Sequence, residues 1–546
     1  MENGQPSPAL AQSRKLQDRL EQVILASLPR ILALLDKNPL SRTRGSFDRK
    51  YWHYKIMDFP CGMQQELVLP LAYVWRHQFA GNTFHQMARL REYILGAFDF
   101  HAVSCHPDGS LDDYFPWERA YGATAYALAA LTEAVLITGL MPSARSLVAL
   151  AKSGEFLASY REAGLLANHL AIAALALMNL HLLTGQAHWL ENSRRLVDEL
   201  AGLQHPEGWF QEYEGCDLGY QTVTLEFLAR CQAKAPSEKL WGLLKDNLEF
   251  LRPFLHPDGS LGGEYGSRNT YNFYPGGFAL LSTRLPQAAE MLGGFFQGLE
   301  SGAENYLVDD GVFGHLLSSY ITVLGCPEIE VTEIPPPPPA SRPEISHSSG
   351  AGLFIGRNGS LTVYGSTTKG GVFKVFKDSR LVWSDTGLSG RLKGGPAFCQ
   401  NKARCATALV QDDRLIIRGY LQRFHHQRLT PFKMTALRML SLVLGRWRGY
   451  SNLIRRLMQK VLIYNQKPLK LAFTRILSLE PGRIRCEDEL EVGPGLELEE
   501  LYRSTDCVDT HVITSDAFQL ANLLPWEPLA VIPGARRLSY TKIISE

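Results

Sequence analysis

Residues 106–131 read HPDGSLDDYFPWERAYGATAYALAAL, a short polar turn followed by a run rich in Ala and Leu. Two further turns have nearly the same letters, HPEGW at 205–209 and HPDGS at 256–260. Proline ends the preceding helix, and glycine supplies the backbone freedom for the reversal. Each turn is therefore expected to join the two helices of one repeating unit.

The helical runs of this repeat open at polar residues spaced 47, 52 and 51 positions apart, namely Tyr121, Asn168, Tyr220 and Tyr271. A period of this length is typical of helical hairpins that bury their apolar faces against neighbouring hairpins. Weaker units at 64–66 and 314–315 extend the repeat. The sequence thus predicts about six hairpins in an α/α toroid, with the opening residues of successive hairpins on one rim.

The composition is that of a folded protein with more than one domain. Its 546 residues are 45% hydrophobic and 20% charged with a net charge of +1, which argues against a protein that binds polyanions through overall charge. The nine cysteines form no CxxC pair, so reduced, buried thiols are expected. No signal peptide and no membrane-spanning run is recognisable, so we expect a cytoplasmic protein without a transmembrane segment.

The predicted toroid spans residues 1–334 and is followed by a Pro/Ser/Gly linker at 335–352, which starts with five prolines. Residues 353–546 contain short strand-like runs separated by Gly, Asn, Asp and Ser. The clearest of these runs lie at 353–357, 361–365, 371–376, 381–384, 406–410, 414–420, 483–490 and 512–514. Their spacing predicts an antiparallel β-sandwich.

Three residues and this domain order carry a family resemblance. Asn168 and His169 open an inner helix, Tyr220 opens the next one, and a strand-rich domain follows. This arrangement resembles the heparinase II/III-like polysaccharide lyases, in which an α/α toroid precedes a β-sandwich and substrate lies in the cleft between them. The resemblance implies a divergent lyase that acts on an acidic, uronate-containing polysaccharide or oligosaccharide, with catalytic roles for Asn168, His169 and Tyr220.

These residue types are suited to β-elimination at a uronic acid. The proton at C5 becomes acidic enough to remove only when the adjacent carboxylate is neutralised, for which Asn168, His169 and Arg268 are the candidates. A phenol such as Tyr220 can take the C5 proton or return one to the leaving oxygen. The polar, Gly-punctuated loop at 263–270 is a candidate sugar-binding surface. The predicted substrate-binding residues are Arg268, Asn269, Tyr265, Tyr271, Glu118 and Glu212.

Simpler roles and other activities remain open at this point. Asn168 is a favoured helix N-cap residue, and Tyr220 could be an amphipathic ring that packs on Ala and Leu. Carboxylates such as Glu118 and Glu212 are also compatible with a glycoside hydrolase. A uronate C5-epimerase and a non-catalytic polysaccharide-binding or scaffolding protein are the remaining alternatives.

The strand-rich domain departs from the family pattern. Related lyases carry a His-x-His-x-x-Asp element on an early strand, but this chain reads GGVFKVFK at 370–377 and WSDTG at 383–387. His425 and His426 are adjacent, so on a strand their side chains would point to opposite faces. We therefore expect neither a metal site nor a cofactor.

Residues 414–479 contain fourteen Lys and Arg residues but no Asp or Glu. Within this stretch, apolar residues recur at helical spacing over 434–464, which predicts a basic helical insert in the sandwich. Three roles are open: contact with an anionic membrane surface, contact with an acidic polysaccharide in the cleft, or packing on the toroid. Nucleic acid is disfavoured because no recognised binding motif is present. The missing signal peptide and this basic insert suggest exopolysaccharide metabolism, peripherally at the inner membrane.

Overall fold

The structure, a computed structural model, describes residues 8–164, 166–213, 215–303, 311, 313–334, 339–403, 407–411, 413–424, 430–463, 466–506 and 523–545. Its first part is helical. The helices are α1 Pro8–Leu34, α2 Arg49–Trp52, α3 Val68–Arg76, α4 Ala88–Ser104, α5 Tyr121–Thr138, α6 Ala144–Ser159, α7 Ala167–Thr184, α8 Ala187–Ala201, α9 Leu218–Lys234, α10 Glu238–Leu251, α11 Gly276–Leu281, α12 Pro286–Ser301 and α13 Phe313–Leu324.

These helices form a closed double ring. Going round the inner ring, α3 contacts α5, α5 contacts α7, and so on through α9, α11 and α13, which returns to α3. The helices α1, α4, α6, α8, α10 and α12 alternate with them along the chain and supply the outer layer. The described residues therefore contain the six predicted hairpins, and the α/α toroid is confirmed.

The composition of each helix follows from its layer. In α5 and α7, 78% and 67% of the residues are buried inside the protein. Both helices are long and apolar enough to cross a membrane by composition alone, but packing on all sides within the toroid accounts for that character. The outer helix α8, by contrast, buries one stripe that includes Trp189, Leu196 and Leu200, while its other face is polar.

The repeated HPxG turns have one geometry. In the first, the His106 N–H donates to Ser110 O at 2.9 Å, and the Gly109 N–H donates to His106 O at 2.9 Å. Gly109 has a φ of +88°, and a Cβ there would lie 2.3 Å from the backbone of Lys152. Only glycine satisfies both requirements, which explains why the turn recurs almost unchanged.

The second part of the chain consists of antiparallel strands. They are β1 Ala340–Ser348, β2 Leu353–Gly359, β3 Leu361–Ser366, β4 Phe373–Lys377, β5 Arg380–Asp385, β6 Gly387–Leu392, β7 Ala397–Cys399, β8 Thr407–Val410, β9 Arg414–Arg423, β10 Pro468–Glu480, β11 Arg483–Val492, β12 Leu498–Ser504, β13 Glu527–Pro528 and β14 Arg537–Ser545. Among the described residues, β1 to β5 pair in sequence order as one sheet. The larger sheet has the order β13-β12-β6-β7-β9-β10-β11-β14, and β8 pairs with β9.

The predicted linker needs a correction. Residues 335–338 lie outside the described residues, but Ala340–Ser348 is the edge strand β1, which pairs with β2. The turn after β1 is also held on the toroid, because the Gly350 and Ala351 N–H groups donate to Glu207 at 2.9 and 3.1 Å. The polar composition that suggested a flexible segment instead reflects an edge strand with one exposed face. The predicted strand at 512–514 lies outside the described residues.

The central strands of the smaller sheet, β2, β3 and β4, are buried on both faces. Its alternate residues Phe354, Val363 and Val375 pack against the larger sheet, whereas Tyr364 and Phe376 join the core of the toroid. Because side chains alternate between the faces of a strand, one sheet can contact two layers at once. The small sheet thus fixes the sandwich onto the toroid.

The basic insert is a helical excursion between the paired strands β9 and β10. It comprises α14 Pro431–Leu444, α15 Arg448–Met458 and a π-helical turn at Gln459–Ile463. The prediction of helix over 434–464 is right in type, but the helix is broken at 445–447, where Gly445 packs on Trp117 of the toroid. Tyr464, the last residue of that range, lies outside the described residues.

Candidate functional site

The inner helices α5, α7 and α9 begin side by side on one rim of the toroid. The loops at this rim are bonded to one another: the Ala167 N–H, at the start of α7, donates to Gln211 O at 3.4 Å, and the Ser267 N–H, in the loop before α11, donates to Cys216 O at 2.9 Å. Residues far apart in sequence therefore meet at this rim, as the repeat predicted.

Asn168, Glu212 and Arg268 form a buried polar group at the rim. The Asn168 side chain donates to the two carboxylate oxygens of Glu212 at 2.8 and 3.0 Å, and its backbone N–H donates at 3.2 Å. Arg268 donates to the same carboxylate through Nη1 at 2.9 Å. Asn168 does not cap α7, because Leu166 occupies the N-cap position.

Glu212 was predicted to bind substrate, and the structure places its carboxylate against Asn168 and Arg268. Its carboxylate is buried and is occupied by Asn168 and Arg268. Burial raises the pKa of Glu212 above its usual range, although the positive charge of Arg268 opposes the shift. Glu212 is thus a positioning residue that holds the amide and the guanidinium in place.

Arg268 lies over the ring of Tyr220. The guanidinium carbon is 3.7 Å from the centroid of the Tyr220 ring and 5.0 Å from that of Tyr213. Asp217 fixes this pair, because its carboxylate caps α9 at the Tyr220 N–H, at 3.3 Å, and accepts the Arg268 N–H at 2.8 Å. A positive charge at this distance stabilises negative charge on the phenol as its proton is transferred.

His169 is the first link of a second polar chain. Its Nδ1 is hydrogen-bonded to Glu162, whose other carboxylate oxygen is ion-paired with Arg455 of α15. The side chains of His169 and Arg455 remain 19% and 15% exposed, so both reach the surface of the protein. The imidazole lies against Gly122 of α5, where a Cβ would approach it to 2.6 Å. Gly122 thus provides the space for His169.

The two partners of Glu162 control its charge. Burial alone would raise the pKa of its carboxyl, but the neighbouring His169 and Arg455 outweigh burial and hold that pKa below its usual range. Glu162 is therefore a carboxylate at neutral pH. It keeps the imidazole of His169 in one orientation, with Nδ1 toward the carboxylate.

Glu118 accepts the other end of Arg455, whose Nη2 lies 3.0 Å from its Oε1. Its second oxygen accepts the backbone N–H groups of Asp113 and Tyr114 at 3.1 and 2.6 Å. Burial and the nearby Asp113 raise the pKa of Glu118 to about 7 despite Arg455. Glu118 was predicted to contact substrate; it is buried, and it can hold or release a proton near neutral pH.

The insert reaches these residues because α15 lies on the loops of the rim. The Asn452 side chain accepts the Ala163 N–H at 2.9 Å, and Gln459 donates to Ala163 O at 2.9 Å. Tyr450 and Ile454 pack against Phe115 in a small apolar cluster. Of the three roles left open for the insert, packing on the toroid is thus observed, and it brings Arg455 to Glu118 and Glu162 at the rim.

Tyr265, Asn269 and Tyr271 were predicted to bind substrate, but the structure places them beneath the sandwich. Lys374 of β4 donates to the Tyr271 hydroxyl at 2.9 Å and forms an ion pair with Glu264 at 3.0 Å. Lys369 is bonded to Asn269, and the Tyr265 hydroxyl is 2.7 Å from His256 Nε2. All three predicted residues are buried and belong to the contact between the domains.

The strand that departs from the family pattern has a structural role here. Lys374, the second residue of β4, faces the toroid and pairs with Glu264 in the contact between the domains. His425 and His426 lie outside the described residues. Within the described ranges, no group of three or more His, Cys, Asp or Glu residues could hold a metal ion.

No protein-family model and no curated protein sequence matches the chain. Among solved structures, the Streptomyces coelicolor A3 chondroitin AC lyase in complex with chondroitin sulphate matches with a TM-score of 0.53 and 12% identity, covering 93% of this chain and 69% of the lyase. The chain has the toroid-plus-sandwich fold of that lyase.

Two other lyases match less closely. Heparinase III aligns with a TM-score of 0.47 and 11% identity, over 89% of this chain and 74% of its own. A heparan sulfate lyase mutant from Pedobacter heparinus aligns with a TM-score of 0.42 and 10% identity, over 100% of this chain and 84% of its own. The match to the chondroitin AC lyase confirms the predicted architecture at the level of the fold.

Asn168, Tyr220 and Arg268 lie together on one rim, with His169 beside Asn168, as their positions in the repeat led us to expect. Glu162 and Arg455, which join His169 to the insert, were not among the predicted residues. Glu162 lies only seven positions before His169, so the loop before α7 could have been inspected for a partner. No local signal distinguishes Arg455 from the other basic residues of the insert.

Proposed function

We propose that the chain is a polysaccharide lyase that cleaves an acidic, uronate-containing polysaccharide of exopolysaccharide metabolism by β-elimination. The observation that carries the proposal is the stacking of Arg268 on Tyr220 at 3.7 Å, with Arg268 tied through Glu212 to Asn168. An amide, a cation and a phenol are thereby held together at this rim. The chondroitin AC lyase of the same fold was solved with chondroitin sulphate, which supports an acidic polysaccharide as the substrate.

The residues have complementary roles in the proposed reaction. Arg268 neutralises the uronate carboxylate, which makes the C5 proton acidic, and Asn168 holds the Glu212 carboxylate that orients Arg268. Tyr220, as phenolate, removes that proton, the C5–H electrons form the C4=C5 double bond, and the C4–O4 bond breaks. The departing oxygen takes up one proton, which the newly formed phenol can return. The reaction consumes no water and changes no oxidation state.

His169 and Arg455 extend this site toward solvent. Both side chains are partly exposed, and both are oriented by the carboxylate of Glu162. The positive charge of Arg455 favours binding of an anionic sugar at the same rim. The insert thus contributes the cation Arg455 at this rim, whereas Lys374 of β4 pairs with Glu264 in the contact between the domains.

The test is to incubate the protein with chondroitin sulphate, polygalacturonate and alginate and to follow the ultraviolet absorbance of the conjugated double bond. We expect absorbance to rise with one of these polymers and to be lost in Tyr220→Phe. Tyr420→Phe, at an exposed position on β9, serves as the matched control. Binding of a polymer without absorbance would instead indicate a non-catalytic polysaccharide-binding protein. Deuterium uptake at C5 without absorbance would indicate a C5-epimerase.

A glycoside hydrolase is the second candidate, and one observation favours it. Glu118 has its pKa raised to about 7 beside Asp113, as a general acid requires. A hydrolase would produce new reducing ends without ultraviolet absorbance, and Glu118→Gln would abolish them. The same incubations therefore separate the two activities.

A further inference from the structure

The outer surface of the insert is an exposed apolar face. Phe432, Leu442 and Val443 of α14 are 82%, 73% and 73% exposed. Trp447 and Leu457 continue this surface through the turn and onto α15, where they are also exposed. Concentrations of large exposed apolar side chains mark interaction sites in folded proteins. We call this surface the outer face of the insert.

The face is outward because the opposite side of each helix is used. Ser441 of α14 and Tyr450 of α15 join the two helices through hydroxyl groups 2.7 Å apart. Tyr450 and Ile454 pack on Phe115 of the toroid. The apolar outer residues are therefore not needed to hold the insert on the protein.

Basic side chains accompany the apolar ones. Arg446, Arg456 and Lys460 are exposed on the same two-helix unit. Over residues 414–479, the chain has fourteen Lys and Arg residues and no acidic residue that could neutralise them within the segment. A helix that exposes large apolar residues beside cations is the usual form of a segment that lies in the interface of an anionic bilayer.

We propose that the outer face of the insert seats the protein on the surface of an anionic lipid bilayer. Phe432, Leu442, Val443 and Trp447 would enter the boundary between headgroups and acyl chains, and the cations would contact lipid phosphates. A second copy of the chain fits this face less well, because a symmetric contact would bring like charges together. The surface would bind lipid whether or not the cleft is catalytic.

The test is co-sedimentation of the full chain with vesicles. Vesicles of phosphatidylcholine with about one third phosphatidylglycerol are compared with pure phosphatidylcholine, at low and high salt. We expect binding to the anionic vesicles only, and a decrease of about tenfold or more in the partition coefficient at high salt. Equal binding to both kinds of vesicle, or no binding to either, would overturn the proposal.

Two variants separate the apolar and ionic contributions. Phe432→Ser with Leu442→Ser and Val443→Ser should abolish binding, and Arg446→Gln with Arg456→Gln and Lys460→Gln should weaken it by about tenfold or more.

Matched controls make the same chemical changes elsewhere. Leu40→Ser with Ile56→Ser and Met141→Ser alters three exposed apolar residues of the toroid, and Arg391→Gln with Lys393→Gln and Arg537→Gln removes three exposed cations of the larger sheet. Both controls should bind vesicles like the parent. Equal losses in the controls would refute a specific face. Sedimentation equilibrium supplies the other check, since a dimer lost in the serine variant together with absent vesicle binding would identify a second copy as the occupant.

Discussion

The rim around Asn168 and Tyr220 and the loop around Tyr271 follow successive turns of the same repeat, but different structures cover them. At the rim, Arg268 stacks on Tyr220, and the neighbouring His169 remains partly exposed to the cleft. At the loop, Lys374 of the small sheet covers Tyr271 and Glu264 completely. Polar residues at equivalent positions of the repeat therefore lie at the candidate site or in the contact between the domains, depending on which part of the structure packs over them.

The largest expected effect tests the rim. Tyr220→Phe removes only the hydroxyl, so activity on the responsive polymer should decrease by about 10²- to 10⁴-fold, the usual contribution of general acid–base groups. The temperature of thermal unfolding should stay close to that of the parent, because the ring and its stacking on Arg268 are kept. Measurement of kcat/KM together with thermal unfolding checks both parts. An unchanged kcat/KM would remove Tyr220 from the mechanism.

The next largest expected effect concerns the contact between the toroid and the sandwich. Lys374→Met leaves Glu264 as a buried carboxylate without its cation, and the free energy of unfolding should decrease by about 3–5 kcal/mol. Lys377→Met, on the same strand but less buried, should change it by about 0.5 kcal/mol or less. Urea unfolding provides the measurement. Adding Glu264→Gln to the first variant should restore part of the loss, and no restoration would show that the ion pair is not its cause.

A third prediction concerns how the free energy of unfolding depends on pH through the carboxyl group of Glu118. The pKa of Glu118 is raised from 4.5 to about 7, so the folded state binds its proton more tightly than the unfolded state. The resulting stability is complete below about pH 4.5 and is lost as pH rises through about 7. Between pH 5 and 8, the parent should therefore lose up to about 3 kcal/mol relative to Glu118→Gln, at about 1.4 kcal/mol per unit.

The matched control is Glu133→Gln. Burial opposes ionisation of Glu133, but the nearby Arg230 and Lys234 outweigh it and hold its pKa below the usual range. The difference in free energy of unfolding between Glu133→Gln and the parent should not change between pH 5 and 8, because the Glu133 carboxyl is ionised there in both the folded and the unfolded state. Urea titrations across this range distinguish the two. A flat difference for Glu118→Gln as well would refute its raised pKa.

The smallest expected effect concerns Tyr271, in the loop that the small sheet covers. Tyr271→Phe removes a hydroxyl that lies between Glu264 and Lys374, which should lower the free energy of unfolding by about 1–3 kcal/mol. The kcat/KM on the responsive polymer should not change, because Tyr271 is buried under the sandwich. A large decrease in kcat/KM without a change in the free energy of unfolding would indicate that Tyr271 contributes to the site.

The repeat itself was readable from the sequence because its causes are local. Glycine at position 109 is required by the turn, and Ala and Leu along α5 and α7 are required by burial on every side. These constraints predicted the six hairpins, the shared rim and the meeting of Asn168, Tyr220 and Arg268. The alternation of apolar residues in β3 and β4 likewise indicated strands.

Only the tertiary structure decided which polar residues face the cleft. Tyr271 and Asn269 have the composition of a sugar-binding loop, but they are buried because Lys369 and Lys374, in the hairpin of β3 and β4 about a hundred positions later, pack on them. Arg455 is one of fourteen basic residues in its stretch, and it reaches the cleft only because α15 docks on the rim. Such contacts depend on the mutual position of distant elements, which the spacing of residues along the chain does not encode.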